Sequence, residues 1–316
     1  MAKVTVLFLG AGKLWQLMRC FQIDSAALPV DIELHSLELE PCCPIAHLAQ
    51  VHTGPNFSAP DADQFILDLA TRIGAEIVIP NMDSATIVLG RIKDRLAAKG
   101  ITAVVSELRL CEAMFDKITA ETWFEGHGDS RPLPTHTAPA IAKHRYGYAS
   151  KGIHVLPTQL DVNSFLERPD AGNYLIQEYL DGDEFTVDAY VARDGRVVDI
   201  LTRQRLLVEA GIVVNSITRW DEGTIRASES ILSRPGWSGP ITLQFRLQDG
   251  KAKILEINPR LGGGVTHSIH CGLRMPMWIL QEHLGLTIAH EPYRWQRGSL
   301  MTRARIDIFH DHLRRP

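Results

Sequence analysis

The sequence contains few cysteines, no long apolar run and no excess of positive charge. Its 5 cysteines are an odd number without a Cys-x-x-Cys pair, which excludes a disulfide framework and a zinc ribbon. No segment approaches the roughly 18 apolar residues that would predict a transmembrane helix. The formal net charge of -4 gives no basic footprint of the kind that binds nucleic acid. We therefore expect a cytoplasmic protein that binds neither nucleic acid nor a membrane.

The first third of the chain alternates apolar strands with amphipathic helices. Between the helices, strands are predicted over residues 4–9, 32–37, 77–80 and 102–105. This alternation predicts a doubly wound parallel α/β sheet. A Gly-Ala-Gly turn at residues 10–12 follows the first strand, but Trp15 stands where a dinucleotide-binding turn needs its third glycine. A plain turn is therefore favoured, and the alternative of an oxidoreductase would require nicotinamide binding at this turn.

The remainder of the chain has a different pattern, with many strands in succession. A helix is predicted over residues 111–128, a strand over 138–143, and further helices over 222–232 and 277–284. The other strands are predicted over residues 174–177, 184–192, 196–202, 213–217, 241–247 and 253–257. Asp-Gly pairs at 194–195 and 249–250 indicate hairpin turns between strands. We therefore expect a largely antiparallel α+β body after the parallel sheet.

A short polar pattern at residues 255–260, Leu-Glu-Ile-Asn-Pro-Arg, carries the strongest chemical signal. Because alternate side chains of a strand share a face, Glu256 and Asn258 point the same way, and Arg260 follows two residues later. Gln244 lies in the partner strand of the hairpin, where antiparallel pairing can bring it opposite Glu256. Oxygen ligands suit a hard cation such as magnesium, and a guanidinium suits phosphate. The alternative is a surface hairpin with an ordinary charge pair.

Two further segments contain residues suited to a phosphate-bearing ligand. Lys143 leaves a strand and precedes a loop in which Gly147 and Gly152 allow the backbone to approach phosphate. The spacing excludes a P-loop, and a mobile surface loop is the alternative. An apolar strand ends at Gln177 and a second one begins at Glu184, and the hinge between them could offer backbone groups to a base. From these residues alone, an ordinary acidic turn explains the hinge equally well.

The order and spacing of these three segments resemble the ATP-grasp superfamily, and within it the short stand-alone proteins similar to the carbamoyl-phosphate synthase large chain. Further landmarks of that group are residues 77–83, 105–106, 116–117 and 301–303. The resemblance implies α/β plus α+β architecture: a Rossmann-like pre-ATP-grasp domain followed by ATP-grasp lobes with antiparallel sheets. The implied domains are the pre-ATP-grasp domain at 1–110, a small lobe with the phosphate loop at 111–175 and a large lobe with the metal site at 176–316.

The resemblance also implies a role for each matching residue. Groups near the ATP phosphates would be Lys117, Lys143, Gly147, Ser150 and Gly152. Groups around adenine and ribose would be Gln177, Glu178, Leu180 and Glu184. The metal ligands would be Gln244, Glu256 and Asn258. The catalytic cations would be Arg260 and Arg203.

The function implied by the resemblance is ATP-dependent carboxylate–amine ligation through an acyl phosphate, releasing ADP and phosphate. The cofactors would be ATP and Mg²⁺, with Mn²⁺ as a substitute, and the partners a small carboxylate and a nucleophile, with the protein a homodimer. Alternatives are a thiol or carbamate-like acceptor, or a catalytically silent ATP-binding regulatory module. The roles of His267, His270 and Cys271 beside the acceptor stay open. His144 replaces a proline of the family pattern, and residues 208–212 lack an expected basic residue.

Overall fold

The computed structural model describes residues 2–147 and 151–309, and within them the strands form three separate sheets. One sheet is parallel, and the other two are antiparallel. The predicted combination of a parallel α/β unit with antiparallel sheets is therefore confirmed. The predicted boundary at residue 175 falls inside a strand of the second sheet, and the division into three domains stays a prediction.

The parallel sheet contains the first five strands in the order β3-β2-β1-β4-β5. These are β1 Ala2–Leu9, β2 Val30–Glu38, β3 Gln50–Thr53, β4 Ile77–Pro80 and β5 Thr102–Ala103. The helices between them are α1 Trp15–Ser25, α2 Ala62–Arg72 and α3 Asp83–Ala97. All four residues of β4 are buried, as expected for a central parallel strand covered on both faces. The carboxyl ends of β1 and β4 meet at the point where the strand order reverses, which is the usual ligand edge of such sheets.

The middle of the chain forms a small three-stranded sheet with flanking helices. Its elements are α4 Leu108–Phe115, α5 Lys117–Gly126, β6 Ala140–His144, β7 Ile153–Leu156, α6 Gln159–Leu166 and β8 Tyr174–Glu178. The prediction of one helix over residues 111–128 is wrong, because the chain is extended at Asp116. The Asp116 carboxylate accepts from the Ile118 N–H and begins a second helix. The unpredicted α6 begins with a capping box formed by Thr158 and Asp161.

The last part of the chain forms a six-stranded sheet in the order β13-β12-β9-β10-β11-β14. Its elements are β9 Glu184–Val191, β10 Val197–Glu209, β11 Ile212–Thr218, α7 Glu222–Leu232, β12 Gly239–Gln248, β13 Lys251–Asn258, α8 Val265–His270, α9 Met275–His283 and β14 Leu300–Thr302. Strand β10 runs well beyond its predicted end at residue 202. The short elements α8 and β14 were not predicted, because neither is long enough to show a periodic pattern.

Helices α8 and α9 pack against the parallel sheet, although they follow the antiparallel one in sequence. One apolar core contains Phe8 and Phe21 together with Trp278 and Trp295. The Arg274 guanidinium also contacts Asp24 in α1, with 2.8 Å between Nε and Oδ1. The N-terminal and C-terminal parts are thus held together by a shared core. No helix of the described residues is long and apolar enough to cross a membrane.

Candidate active site

The proposed metal ligands lie together on one face of strand β13. Ile254 and Ile257 are both buried, each 1% exposed, although they are three residues apart. A β-bulge explains this, because Gln244 pairs with Glu256 while the next residue of β12 pairs with Ile254. The extra residue reverses the alternation, so Glu256 and Asn258 share the opposite face. The Asn258 Nδ2 donates to Glu256 Oε1 at 3.2 Å.

A row of polar residues continues from Glu256 across the sheet. Gln244 lies directly opposite Glu256, as the hairpin predicted, and Thr186 and Arg203 follow on the next two strands. The neighbouring row contains Asn258, Thr242 and Asp188. Because paired residues of adjacent strands share a face, one side of the sheet gathers these polar groups. The other side packs its apolar residues, including Val187 and Leu243, in the core.

Lys143, from the small sheet, is buried close to this polar face. Its Nζ donates to Gln177 Oε1 at 3.1 Å. Burial lowers the pKa of the Lys143 ammonium from 10.5 to about 8, and the Glu256 carboxylate is the strongest charge acting in the opposite direction. Lys117 also lowers the pKa of Lys143, so the two lysines lie within electrostatic reach of each other. The side chains of two sheets therefore converge on one site.

The loop after Lys143 is fixed at its beginning by α5. Lys117 Nζ donates to the Gly147 carbonyl at 2.5 Å, and Asp116 forms an ion pair with Arg145. A Cβ on Gly147 would lie 2.6 Å from the Lys151 carbonyl oxygen, so the tight loop requires glycine there. Gly152, at the other end of the loop, has a φ of 74°. Ser150 lies outside the described residues.

The hinge after β8 combines a buried amide, that of Gln177, with a backbone N–H at Leu180 that has no partner among the described residues. Gln177 is 3% exposed, and its Nε2 donates to Glu121 Oε2 at 2.7 Å. The Glu178 carboxylate accepts from the Leu133 N–H at 3.0 Å and pairs with Lys253. The Leu180 carbonyl accepts from Arg246 Nη1 at 2.9 Å. None of the hydrogen bonds among residues 2–147 and 151–309 uses the Leu180 N–H, which leaves it for a ligand.

Glu184 lies between two arginines that sequence reasoning missed. Its Oε1 contacts Arg205 Nη1 at 3.1 Å, and its Oε2 contacts Arg246 Nη2 at 2.8 Å. Arg205 also donates to Gln244 Oε1 at 3.0 Å, so it joins the predicted ribose residue to the predicted metal strand. The spacing of two from Arg203 could have identified Arg205, because alternate residues of a strand share a face.

Arg203 is more deeply buried than its predicted role as a positive contact suggests. It is 2% exposed, and its Nε donates to Asp188 Oδ2 at 2.9 Å. Ser268 and Thr242 donate to the same carboxylate at 2.6 and 3.1 Å. The Arg203 Nη1 finds no hydrogen-bond partner in the described part of the chain, and a Cβ on Gly264 would lie 2.7 Å from it. Nη1 is therefore an unpaired donor next to the loop after β13, where a ligand could accept from it.

Helix α8, which follows this loop, brings His267 within electrostatic reach of Arg203. The His267 Nδ1 lies 2.8 Å from the Ser216 hydroxyl, and its Nε2 has no partner among the described residues. Burial, followed by the charge of Arg203, lowers the pKa of His267 to about 4, so the ring is neutral at pH 7. His270 is exposed and Cys271 is 4% exposed. His267 is therefore the member of this group that is placed beside the site.

Arg260, two residues after the end of β13, reaches the first residue of α3 in the parallel α/β unit. Its Nε and Nη2 donate to the two carboxylate oxygens of Asp83 at 2.6 and 3.0 Å. Its Nη1 donates to the Leu261 carbonyl at 3.1 Å, and Nη2 lies 3.5 Å from Asn258 Oδ1. Although burial acts to lower the pKa of Arg260, the carboxylates of Asp83 and Glu256 hold it above its ordinary value.

The candidate metal ligands include one carboxylate and two amides. Within residues 2–147 and 151–309, no group of three His, Cys, Asp or Glu side chains could hold a metal ion. Magnesium, however, keeps several water ligands and is often bound through one or two carboxylates together with substrate phosphates. Glu256, Asn258 and Gln244 therefore fit a magnesium ion that a bound triphosphate helps to coordinate. They do not fit a structural site made by the protein alone.

The structure consists of a parallel α/β unit followed by two antiparallel sheets, and polar side chains of both antiparallel sheets lie within electrostatic reach of each other. A family described as ATP-grasp in the biosynthetic pathway with Ter operon matches residues 170–304. D-alanine–D-alanine ligase of Petrotoga mobilis is 23% identical over 195 residues, which cover 54% of this chain and 65% of that ligase.

Solved structures match almost the whole chain. N5-carboxyaminoimidazole synthetase from Staphylococcus aureus, solved with ADP, has a TM-score of 0.73 at 13% identity and covers 95% of this chain and 82% of its own. The biotin carboxylase domain dimer of Hydrogenobacter thermophilus 2-oxoglutarate carboxylase, solved with MgADP, ADP and bicarbonate, has a TM-score of 0.70 at 15% identity, covering 94% and 73%. The segment 170–304 is thus similar to an ATP-grasp family, and the likeness to the solved structures shows a shared fold over almost the whole chain.

Proposed function

We propose that this protein is an ATP- and magnesium-dependent ligase that activates a small carboxylate as an acyl phosphate and joins it to an amine. The observation that carries the proposal is the convergence of buried Lys143 with Glu256, Asn258 and Gln244 on one face of the large sheet. The likeness to ligases of known fold supports the same reaction class. The match spans only 65% of the D-alanine–D-alanine ligase, so the activity is inferred from the site.

The protein's contribution to phosphoryl transfer would be alignment and charge neutralisation. A carboxylate is a poor electrophile, and transfer of the γ-phosphoryl group to one of its oxygens gives a mixed anhydride with a good leaving group. Lys143 and Lys117 would bind phosphate oxygens, and Arg260 would face the γ-phosphate. Positive groups held in place in this way favour a transition state whose charge is spread over the phosphate oxygens. No protein nucleophile is required.

The nucleotide would be held at its two ends by different elements. Glu256 and Asn258, with Gln244 as a weaker ligand, would hold magnesium, which neutralises phosphate charge when bound. The Leu180 N–H and the backbone at Glu178 would meet the adenine edge, with Gln177 behind them. Glu184 would accept from the ribose hydroxyls, and its ion pairs with two arginines hold the carboxylate in place.

The acceptor would lie near the loop after β13, where Arg203 Nη1 and the neutral His267 are available. A neutral imidazole can accept a hydrogen bond from the N–H of an amine and so orient its lone pair for attack on the acyl phosphate. The likeness to D-alanine–D-alanine ligase makes amino acids the first carboxylates and amines to test. A thiol or carbamate-like acceptor is the second enzymatic candidate.

The test is phosphate release from ATP in the presence of magnesium and pairs of amino acids, followed by mass detection of the product. We expect release that depends on an added carboxylate and is abolished in Glu256→Gln. Glu222→Gln is the matched control, because Glu222 is an exposed surface residue paired only with its helix neighbour and Trp220. Normal turnover in Glu256→Gln would refute the metal assignment. Nucleotide binding without turnover under every substrate mixture would instead indicate a silent ATP-binding module.

A further inference from the structure

The ion pair between Asp83 and Arg260 joins the parallel α/β unit to the end of strand β13, which carries Glu256 and Asn258. Asp83 is the first residue of α3, directly after the carboxyl end of β4. It is 177 residues from Arg260 in sequence, yet both carboxylate oxygens accept from the guanidinium. The two side chains are 29% and 18% exposed, so the pair is partly protected from water. Such a two-bond pair fixes the plane of the guanidinium as well as its position.

The edge of Arg260 that Asp83 occupies is the one formed by Nε and Nη2. The opposite end, formed by Nη1 and Nη2, faces the Leu261 carbonyl and the Asn258 amide oxygen. A guanidinium can bind two anionic groups at once, one on each edge. At that end the partners of Arg260 are neutral oxygens and not a carboxylate, so a phosphate could take their place while Asp83 keeps the other edge.

We propose that Asp83 is a positioning residue that aims the Nη1–Nη2 end of Arg260 at the terminal phosphate. This inference rests on the proposed function, because it assumes that a nucleotide triphosphate binds between Lys143 and Glu256. Without Asp83, the arginine side chain can rotate toward Glu256, whose charge already attracts it. The Glu256 carboxylate would then lose its proposed place beside the metal and the phosphate. Asp83 acts only through Arg260 and does not touch substrate.

A second ion pair between the same two parts of the protein provides a matched control. Asp24 in α1 accepts from Arg274 Nε at 2.8 Å and from the Met277 N–H at 3.2 Å, just before and within α9. Like Asp83, it connects the N-terminal unit to the C-terminal part, but its partners lie outside the described site. If Asp83 merely holds the two parts together, Asp83→Asn and Asp24→Asn should have the same consequences.

The first measurement is binding, which needs no turnover. The full chain is titrated with ADP and with the non-hydrolysable β,γ-imido analogue of ATP, each with magnesium. We expect Asp83→Asn and Arg260→Met to weaken the analogue about tenfold or more while ADP affinity stays within about twofold, since only the analogue has a terminal phosphate. Asp83→Glu should recover part of the loss, and Asp24→Asn should bind both ligands as the wild type does. The double variant of Asp83 and Arg260 should be no worse than Arg260→Met alone.

The second measurement is the nitrogen-15 spectrum of the arginine side chains, with the Arg260 Nε–H assigned by its loss in Arg260→Met. A protected Nε–H signal present in the wild type and in Asp24→Asn, but absent from Asp83→Asn, supports the proposal. Equal losses of ADP and analogue affinity in Asp83→Asn, additive effects with Arg260→Met, or tighter analogue binding would each overturn it. Absence of carboxylate-dependent turnover in the wild type would count against the proposed function, whereas these binding ratios would still decide the role of Asp83.

Discussion

The lowered pKa of Lys143 makes nucleotide binding depend on pH in a way that can be calculated. In the empty protein, burial holds the pKa of this ammonium at about 8, compared with its ordinary 10.5. Phosphate oxygens placed beside Lys143 favour the charged form and therefore raise the pKa again. Above pH 8 the empty protein is largely deprotonated at this site, while the complex stays protonated. Binding must then take up a proton, and affinity must fall as the pH rises through about 8.

The size of the effect follows from the fraction of Lys143 that is charged before binding. With a pKa of about 8, roughly 90% of the empty protein is charged at pH 7 and roughly 10% at pH 9. ADP should therefore bind about tenfold more weakly at pH 9 than at pH 7, with uptake of nearly one proton at pH 9. The phosphates do not contribute to this proton uptake, because their second ionisation has a pKa of about 6. His267 does not contribute either, since its pKa of about 4 is far below this range.

The assay is isothermal titration calorimetry with ADP and magnesium in two buffers of different ionisation enthalpy, at pH 7 and pH 9. The difference in apparent enthalpy between buffers gives the number of protons taken up. Lys143→Arg keeps a positive charge over the whole range and should show neither uptake nor the loss of affinity. Lys143→Met should bind weakly at both values. Equal affinity at pH 7 and pH 9 in the wild type, with no proton uptake, would show that Lys143 does not contact the phosphates.

Three further substitutions test how the site is supported. Asp188→Asn leaves the buried Arg203 without its counter-charge and should lower the free energy of unfolding by about 3–5 kcal/mol in urea titrations. A loss under about 1 kcal/mol would mean that the pair is not buried as described. Asp116→Ala removes a helix cap and the partner of Arg145, and should cost about 1–2 kcal/mol and lower the melting temperature, whereas an unchanged melting curve would contradict the cap. Gly264→Ala places a methyl group against the Arg203 Nη1 and should reduce turnover about tenfold or more, and wild-type turnover would show that this guanidinium end is not used.

The positions of the metal-strand residues could be predicted because they depend on local rules. Period-two alternation placed Glu256 and Asn258 on one face, and the Asp-Gly turn set the register that brings Gln244 opposite Glu256. Strict alternation nevertheless fails one residue earlier, because the bulge in β13 buries Ile254 and Ile257 on the same side. The shared face of Glu256 and Asn258 was therefore predicted correctly. The buried residues Ile254 and Ile257 are three positions apart, so they do not follow the same period of two.

Other features depend on contacts between distant parts of the chain, and no local pattern contains them. Asp116 lies inside a sequence with helical spacing, but its carboxylate pairs with Arg145, 29 residues later in the sequence. The pairing of Asp83 with Arg260 joins residues 177 positions apart. Arg205 differs from these, because its spacing from Arg203 was visible in the sequence. Only its neighbours in the folded sheet, Glu184 and Gln244, give it significance.

The buried ammonium of Lys143 should also cost the empty protein stability, which links function to folding in one residue. The difference between 10.5 and about 8 corresponds to a penalty of about 3 kcal/mol. Because the folded pKa lies below the unfolded one, the penalty is fully present below pH 8 and disappears as the pH rises from about 8 to 10.5. Lys143→Met would remove it but leave Gln177 Oε1 without its donor, at a cost of about 1–2 kcal/mol.

We therefore expect Lys143→Met to be more stable than the wild type by about 1–2 kcal/mol at pH 7 but no more stable than the wild type at pH 10, where most of the penalty has disappeared and the lost hydrogen bond still counts. Urea unfolding at the two pH values measures both terms in the same protein. A variant that is less stable than the wild type at pH 7 would mean that Glu256 and Glu121 compensate the buried charge fully. A stable variant that no longer binds nucleotide would indicate that the site keeps a desolvated cation although this cation destabilises the fold. The reason is that a triphosphate is attracted most strongly by a charge that water does not already screen.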